Sequence, residues 1–220
     1  MVVLNKYSNK PETVIIGTFR RGMYAIFLAL GIKKLENDSE YKYQGYGCKL
    51  ELTSLDIYEF IDKVPAECLI EASEDDIQAI MKTFHADNDV TAWGAMRTKQ
   101  VEVYDESDYV KNITINGVTG KLEKDTRVGL VNMYNMYNIT DKWKTSNVPP
   151  IWIGNTSINM KSPSEALEIL GQIEQYSFEC FDATKRNLVS IQDLVQKEAI
   201  QSLMSFDFKA NYPPTFDIEV

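Results

Sequence analysis

Hydrophobic and polar positions change rhythm several times along the first hundred residues. A β-rich stretch at residues 13–19 is bounded by Pro11 and Gly22 and predicts a strand. The apolar run that follows, about ten residues from Met23 to Ile32, predicts a short buried helix over 23–30 closed by Gly31. Tyr41, Tyr43 and Tyr46 stand around Gly45 and Gly47, and residues 48–52 alternate, so a hairpin is expected there. Residues 54–61 read as a short helix stopped by Pro65, and 67–71 as a strand. Ser73 and Asp76 have capping-box spacing and predict a helix to about Phe84. Ile77, Ile80, Met81 and Phe84 would form its buried face.

The middle of the chain carries β-prone pieces at 100–104, 109–115 and 128–133, with a hairpin turn at Asn116-Gly117. The near-repeat of Asn132, Asn135 and Asn138, each three residues apart with Met-Tyr between, does not fit a strand's two-residue period. One turn of helix or an extended segment both remain open. After Pro149 and Pro150, two strand-like pieces at 151–153 and 155–160 lead into a long helix. Its start is signalled by Ser162 as cap, Pro163 at the first position and Glu165 at the third. Ala166, Leu170, Ile173, Ser177, Cys180, Phe181, Thr184 and Leu188 keep to one stripe for about 40 Å. Ser190 and Asp193 repeat the capping-box spacing, which predicts a second helix over 192–203. The end of the chain is extended through Tyr212, Pro213 and Pro214. The fold class is therefore α+β: a small α+β module at 1–98, a β-rich connecting segment at 99–147, and a strand and helix-hairpin domain with an extended tail at 148–220.

Composition narrows the functions open to such a chain. With 23 basic and 32 acidic residues the net charge is −9, which disfavours nucleic-acid binding by bulk electrostatics. Residues 151–220 alone carry 5 basic and 10 acidic side chains. One histidine and three scattered cysteines leave no His-rich zinc set and no disulfide framework. The cysteines fit a reducing compartment, and neither a secretion signal nor a membrane span is expected. The Asn-x-Ser/Thr matches at Asn112, Asn138 and Asn155 then carry no weight.

Candidate chemistry is sparse. His85, with Asp87 and Asp89 nearby, is the sole imidazole available as a general base and lacks the spacing of a calcium loop. A histidine just past a helix end also has a structural use there. Cys48, beside Gly47, is the one cysteine expected in a loop. Residues 117–121 approach a phosphate loop but fail its spacing, and read better as a hairpin turn with a solvated Lys121. Gly17 to Gly22, with Arg20 and Arg21, would join a strand to a helix start and could meet an anion. The acidic pairs Asp75-Asp76 and Glu71-Glu74 are accounted for by the helix dipole. No catalytic residue, cofactor site or metal site is assigned. The aromatic residues Tyr134, Tyr137, Trp143 and Trp152 could line a protein-binding surface.

The C-terminal order of Trp152, Asn155, a polar strand to Met160, a long helix with Cys180 and Thr184, then Ile191, Leu203, Phe206-Asp207 and Tyr212-Pro213 resembles a domain family of tailed bacteriophages. That family occurs at the C-termini of tail-fibre and other tail-associated proteins. The likeness covers about 70 residues and departs at Tyr212-Pro213-Pro214, where the family more often closes on Trp-Pro. It implies a non-enzymatic virion protein such as a tail ring, connector or fibre-attachment component, assembled in the bacterial cytoplasm. Such a protein would bind other virion proteins and copies of itself. Tyr134, Tyr137, Trp143, Trp152, Phe206, Tyr212, Pro213 and Pro214 are the candidate interaction residues. A fibre-assembly chaperone that leaves the particle and a small carboxylate-dependent enzyme are the alternatives.

Overall fold

The computed structural model describes residues 2–18, 22–36, 38 and 40–220. The chain forms an α+β fold in two compact units: Met1–Tyr104 with Asn187–Lys209, and Asp105–Arg186 with Ala210–Val220.

In the first unit, β1 (Val3–Tyr7), β2 (Val14–Thr18), β3 (Tyr24–Lys34) and β4 (Tyr43–Leu52) make an antiparallel sheet in the order β1-β4-β3-β2. The helix expected over 23–30 is instead the central strand β3. Its apolar residues serve both faces: Ile26, Leu28 and Leu30 join the core, while Ala25, Phe27 and Ala29 point the other way. With apolar side chains on both sides, the alternation that would mark a strand is invisible in the sequence. Gly31 does not close a helix. It sits at φ +60° where the β3–β4 register shifts, and a Cβ there would lie 2.6 Å from the Glu71 carbonyl oxygen. Residues 43–52 form one strand rather than a hairpin, with β1 and β3 on either side.

Four helices follow: α1 (Ile57–Lys63), α2 (Ala66–Glu71), α3 (Glu74–Thr83) and α4 (Val90–Asp105). Residues 67–71, expected as a strand, are the helix α2, because burying Cys68, Leu69 and Ile70 outweighs their β propensity. The capping box at α3 is complete: the Ser73 hydroxyl accepts from the Asp76 amide, and Asp76 accepts from the Ser73 amide at 3.0 Å. Asp76 is itself buried and also accepts from the Gly31 amide at 2.8 Å and the Thr13 hydroxyl at 3.2 Å, so one carboxylate ties α3 to the sheet. The core gathers the inward strand residues with Phe60, Leu69, Ile77, Ile80, Met81, Trp93 and Met96, and with Ile191, Leu203 and Phe208 from the returning chain.

In the second unit, α5 (Asp108–Lys111) precedes the hairpin of β5 (Ile113–Ile115) and β6 (Val118–Gly120). Its turn is the expected Asn116-Gly117, with φ of 50° and 74°. The rest of the segment expected to be β-rich is helical. Residues 100–104 belong to α4 and 128–133 to α6 (Lys124–Ile139), so the three-residue Asn repeat follows helical turns. A 3₁₀ turn at Lys142–Lys144 leads to the hairpin β7 (Ile151–Ile153) and β8 (Thr156–Ile158).

The long helix α7 (Pro163–Gln196) begins as predicted. The Glu165 amide donates to the Ser162 hydroxyl at 3.1 Å, and the Glu165 carboxylate accepts from the Lys161 amide at 2.6 Å. Its 34 residues make it about 50 Å long. Ser190 and Asp193 start no new helix, because α7 runs through them. It stops only at Gln196, and a shorter helix, α8 (Ile200–Met204), follows. The chain closes with β9 (Phe216–Ile218), parallel to β5.

Candidate functional site

The structure sorts the predicted interaction residues into separate surroundings. In the second unit Tyr134 is fully buried, and its hydroxyl donates to the Pro149 carbonyl at 2.8 Å. Burial pushes that phenol up to about 12. Tyr137 and Trp143 are half-buried, and the buried Trp143 indole N–H meets no acceptor among the described residues. Trp152 is 56% exposed on the outer side of β7. Tyr212 and Pro213 are half-buried and Pro214 is exposed. The Tyr212 hydroxyl lies 2.7 Å from that of Thr184, which donates to Asp105 at 2.7 Å. In the first unit Phe206 is half-buried against the core. On α7, Phe181 leaves the predicted stripe at 56% exposure, while Ile169, Tyr176 and Ala183 are buried.

The residues considered for chemistry are held by structural duties. His85 is exposed at φ 55°, one residue past the α3 cap. Its amide donates to the Lys82 carbonyl and that of Ala86 to the Met81 carbonyl, which is the Schellman closure of a helix end. Asp87 is exposed beside it. Cys48 is not in a loop. It is a buried residue of β4 that shares a sulfur hydrogen bond with buried Cys68, and this contact together with burial pushes the Cys68 thiol well above its ordinary range. Burial also raises Cys180. Lys121 pairs with Asp108 at 3.0 Å. Arg20 and Arg21 lie outside the described residues, and the chain after them enters β3, not a helix start. Among the described residues no group of three or more His, Cys, Asp or Glu side chains is placed to hold a metal ion, and no helix is long and apolar enough to cross a membrane.

The second unit contains a half-open cavity of about 260 Å³, floored by Val110, Ile113, Ile173 and Tyr176 and rimmed by Lys111, Lys121 and Arg127. These three cations are already engaged. Lys111 reaches Glu106 at 3.4 Å, and Arg127 donates to Glu174 and to the Leu122 carbonyl, both at 2.6 Å.

One buried cation escaped the sequence reading. Arg97 on α4 is 2% exposed. It donates through Nε to the Leu203 carbonyl at 2.8 Å, through one terminal nitrogen to Gln100 at 2.8 Å, and through the other to the Met204 carbonyl. It satisfies the last carbonyls of α8 as a C-terminal cap. Burial lowers it to about 10, so it stays charged at neutral pH. Nothing local marks this role, since its backbone partners lie 106 and 107 residues further along the chain.

The outer face of the first unit's sheet carries uncovered apolar side chains. Ile15 and Phe27 are direct cross-strand partners, and both are exposed. Val3 stands opposite Gly47 on the neighbouring pair, and these side chains border a shallow concavity with Tyr7, Ala29 and Lys49. Compared with known proteins, the chain matches no family model, no curated protein and no solved structure.

Proposed function

We propose that this chain is a non-enzymatic structural protein of a tailed-phage particle, a tail ring, connector or fibre-attachment component that works by protein–protein contact. The observation that carries the contact role is the uncovered sheet face bearing Val3, Ile15 and Phe27. An antiparallel sheet with one face toward water normally presents polar side chains there, so large apolar side chains left uncovered on that face point to a partner. The particle context rests on the C-terminal order from Trp152 to Pro213. The protein would be assembled in the bacterial cytoplasm and retained in the virion.

Mass spectrometry of purified particles, with subunit stoichiometry, tests this reading. The expected result is a fixed number of copies per particle. Absence from particles, with a fibre-protein complex in the lysate alone, would replace it with the assembly-chaperone reading. The variant Phe27→Lys should fold normally and lose incorporation if the sheet face is the contact.

A further inference from the structure

We propose that the cavity of the second unit binds a small carboxylate, its apolar body inside the cavity and its charge on the cations at the mouth. The walls come from three stretches of one unit: residues 110–113, residues 121–127 at the start of α6, and residues 173–181 of α7. The floor is apolar. Val110, Ile113, Leu122, Ile173 and Cys180 are each 5% exposed or less, and the Tyr176 hydroxyl is taken by the Val110 carbonyl at 3.1 Å. A sugar would leave its hydroxyls unpaired on such a floor, and inorganic phosphate would leave the floor itself uncovered. An apolar group fits it.

The mouth selects the charge of that ligand. Lys111, Lys121, Lys124 and Arg127 line it against only two acids, Asp105 and Glu123, in a chain of net charge −9. Asp105 already accepts from the Thr184 hydroxyl at 2.7 Å. The acids that pair with three of the cations, Glu106, Asp108 and Glu174, stand outside the lining, and their side chains are 75%, 76% and 45% exposed. Ion pairs this open to water contribute little, so a ligand carboxylate can exchange for them. Lys124 is exposed and enters no ion pair among the described residues. Because the cavity is half-open, the carboxylate stays at the water's edge and no charge is buried alone. The volume sets the size of the apolar body. A water's share of the liquid is about 30 Å³, so about 260 Å³ takes about nine non-hydrogen atoms, a short alkyl chain or a single ring. The inference stands on this cavity alone and does not depend on the particle context.

Titration of the isotope-labelled full chain with octanoate at low salt, followed by amide chemical shifts, tests it. Saturable shifts confined to the three wall stretches are expected, with a dissociation constant on the order of 0.1–1 mM for so small a ligand. Octylammonium has the same chain and the opposite charge, and should cause no shifts there. 1-Octanol should bind at least about fivefold more weakly than octanoate. Ser177→Trp, at a half-buried wall position, should fill the cavity and abolish the octanoate shifts with an unchanged far-UV spectrum. Lys124→Glu, at an exposed position, should weaken octanoate a few-fold and leave octanol unaffected. No saturable binding of octanoate up to about 10 mM, equal binding of octylammonium, or octanoate binding unchanged in both variants would overturn the proposal.

Discussion

The helices of the first unit and α6 of the second are stabilised in different ways. In the first, short helices are packed hard. α1 buries Ile57, Phe60 and Ile61 in seven residues, α2 buries Cys68, Leu69 and Ile70 in six, and α3 buries four in ten. In the second, α6 has sixteen residues and buries one. Isolated helices near this length are marginal in water, and most helix stability in proteins comes from packing an apolar face. The first unit therefore holds its helices with an internal core. α6 leaves Val128, Met136 and Ile139 exposed. Buried long-range polar ties occur in both units: Arg97, Gln100 and Asp76 in the first, and Thr184 bound to Asp105 in the second.

The largest effects should fall on those ties and that core. Arg97→Ala removes the cap from α8, leaves the Leu203 and Met204 carbonyls without their donor and opens a void beside Trp93. A loss of about 3–5 kcal/mol is expected in urea unfolding. The matched pair Ile80→Ala and Val128→Ala measures the contrast directly. Ile80 is fully buried, and its truncation should cost about 2–5 kcal/mol. Val128 is half exposed, and its truncation should stay within about 0.5 kcal/mol at concentrations where the chain is monomeric. Equal costs at the two positions would break the comparison.

How much of this division could be read from the sequence depended on whether the deciding contact was local. The α3 capping box, the Asn116-Gly117 turn and the start of α7 are short-range devices, and each appears where its residues predict it. The strand β3 was hidden because both of its faces are apolar, and α2 because tertiary burial overrode the β preference of its residues. α6 was hidden because its Val and Tyr residues raise β propensity while its helical face is too shallowly buried to impose an apolar stripe. The candidate aromatic residues were visible by type, but not which of them face outward. Tyr134 turns in and Trp152 turns out, a matter of register that residue type does not encode.

A medium effect distinguishes the inward aromatic from the outward ones. The folded phenol of Tyr134 is raised to about 12 by burial, from about 10 in the unfolded chain. The neutral form is favoured in the fold, so this contribution is fully present below pH 10. It is lost as the pH rises from 10 toward 12, because the unfolded chain ionises first. Tyr134→Phe should cost about 1 kcal/mol at pH 7 through the lost bond to Pro149, and should flatten the alkaline decline in thermal melts above pH 10.

The smallest expected effect tests how the helices of both units end. α3, α6 and α7 close on non-glycine residues in the left-handed region: His85 at φ 55°, Asp141 at 52° and Glu198 at 53°. At α7 the Glu198 amide donates to the Val195 carbonyl and that of Ala199 to the Leu194 carbonyl, the same closure as at α3. A side chain with a Cβ is strained there, and glycine is not. Glu198→Gly should therefore stabilise the protein by about 0.5–1 kcal/mol, the relief of strain exceeding the added entropy of the unfolded chain. His85→Gly should do the same at α3. If the His85 imidazole made a stabilising contact, its replacement would destabilise instead. A rise in the urea midpoint for both variants, with unchanged slope, is the expected outcome, and a fall for His85→Gly alone would mean that the imidazole holds a stabilising contact.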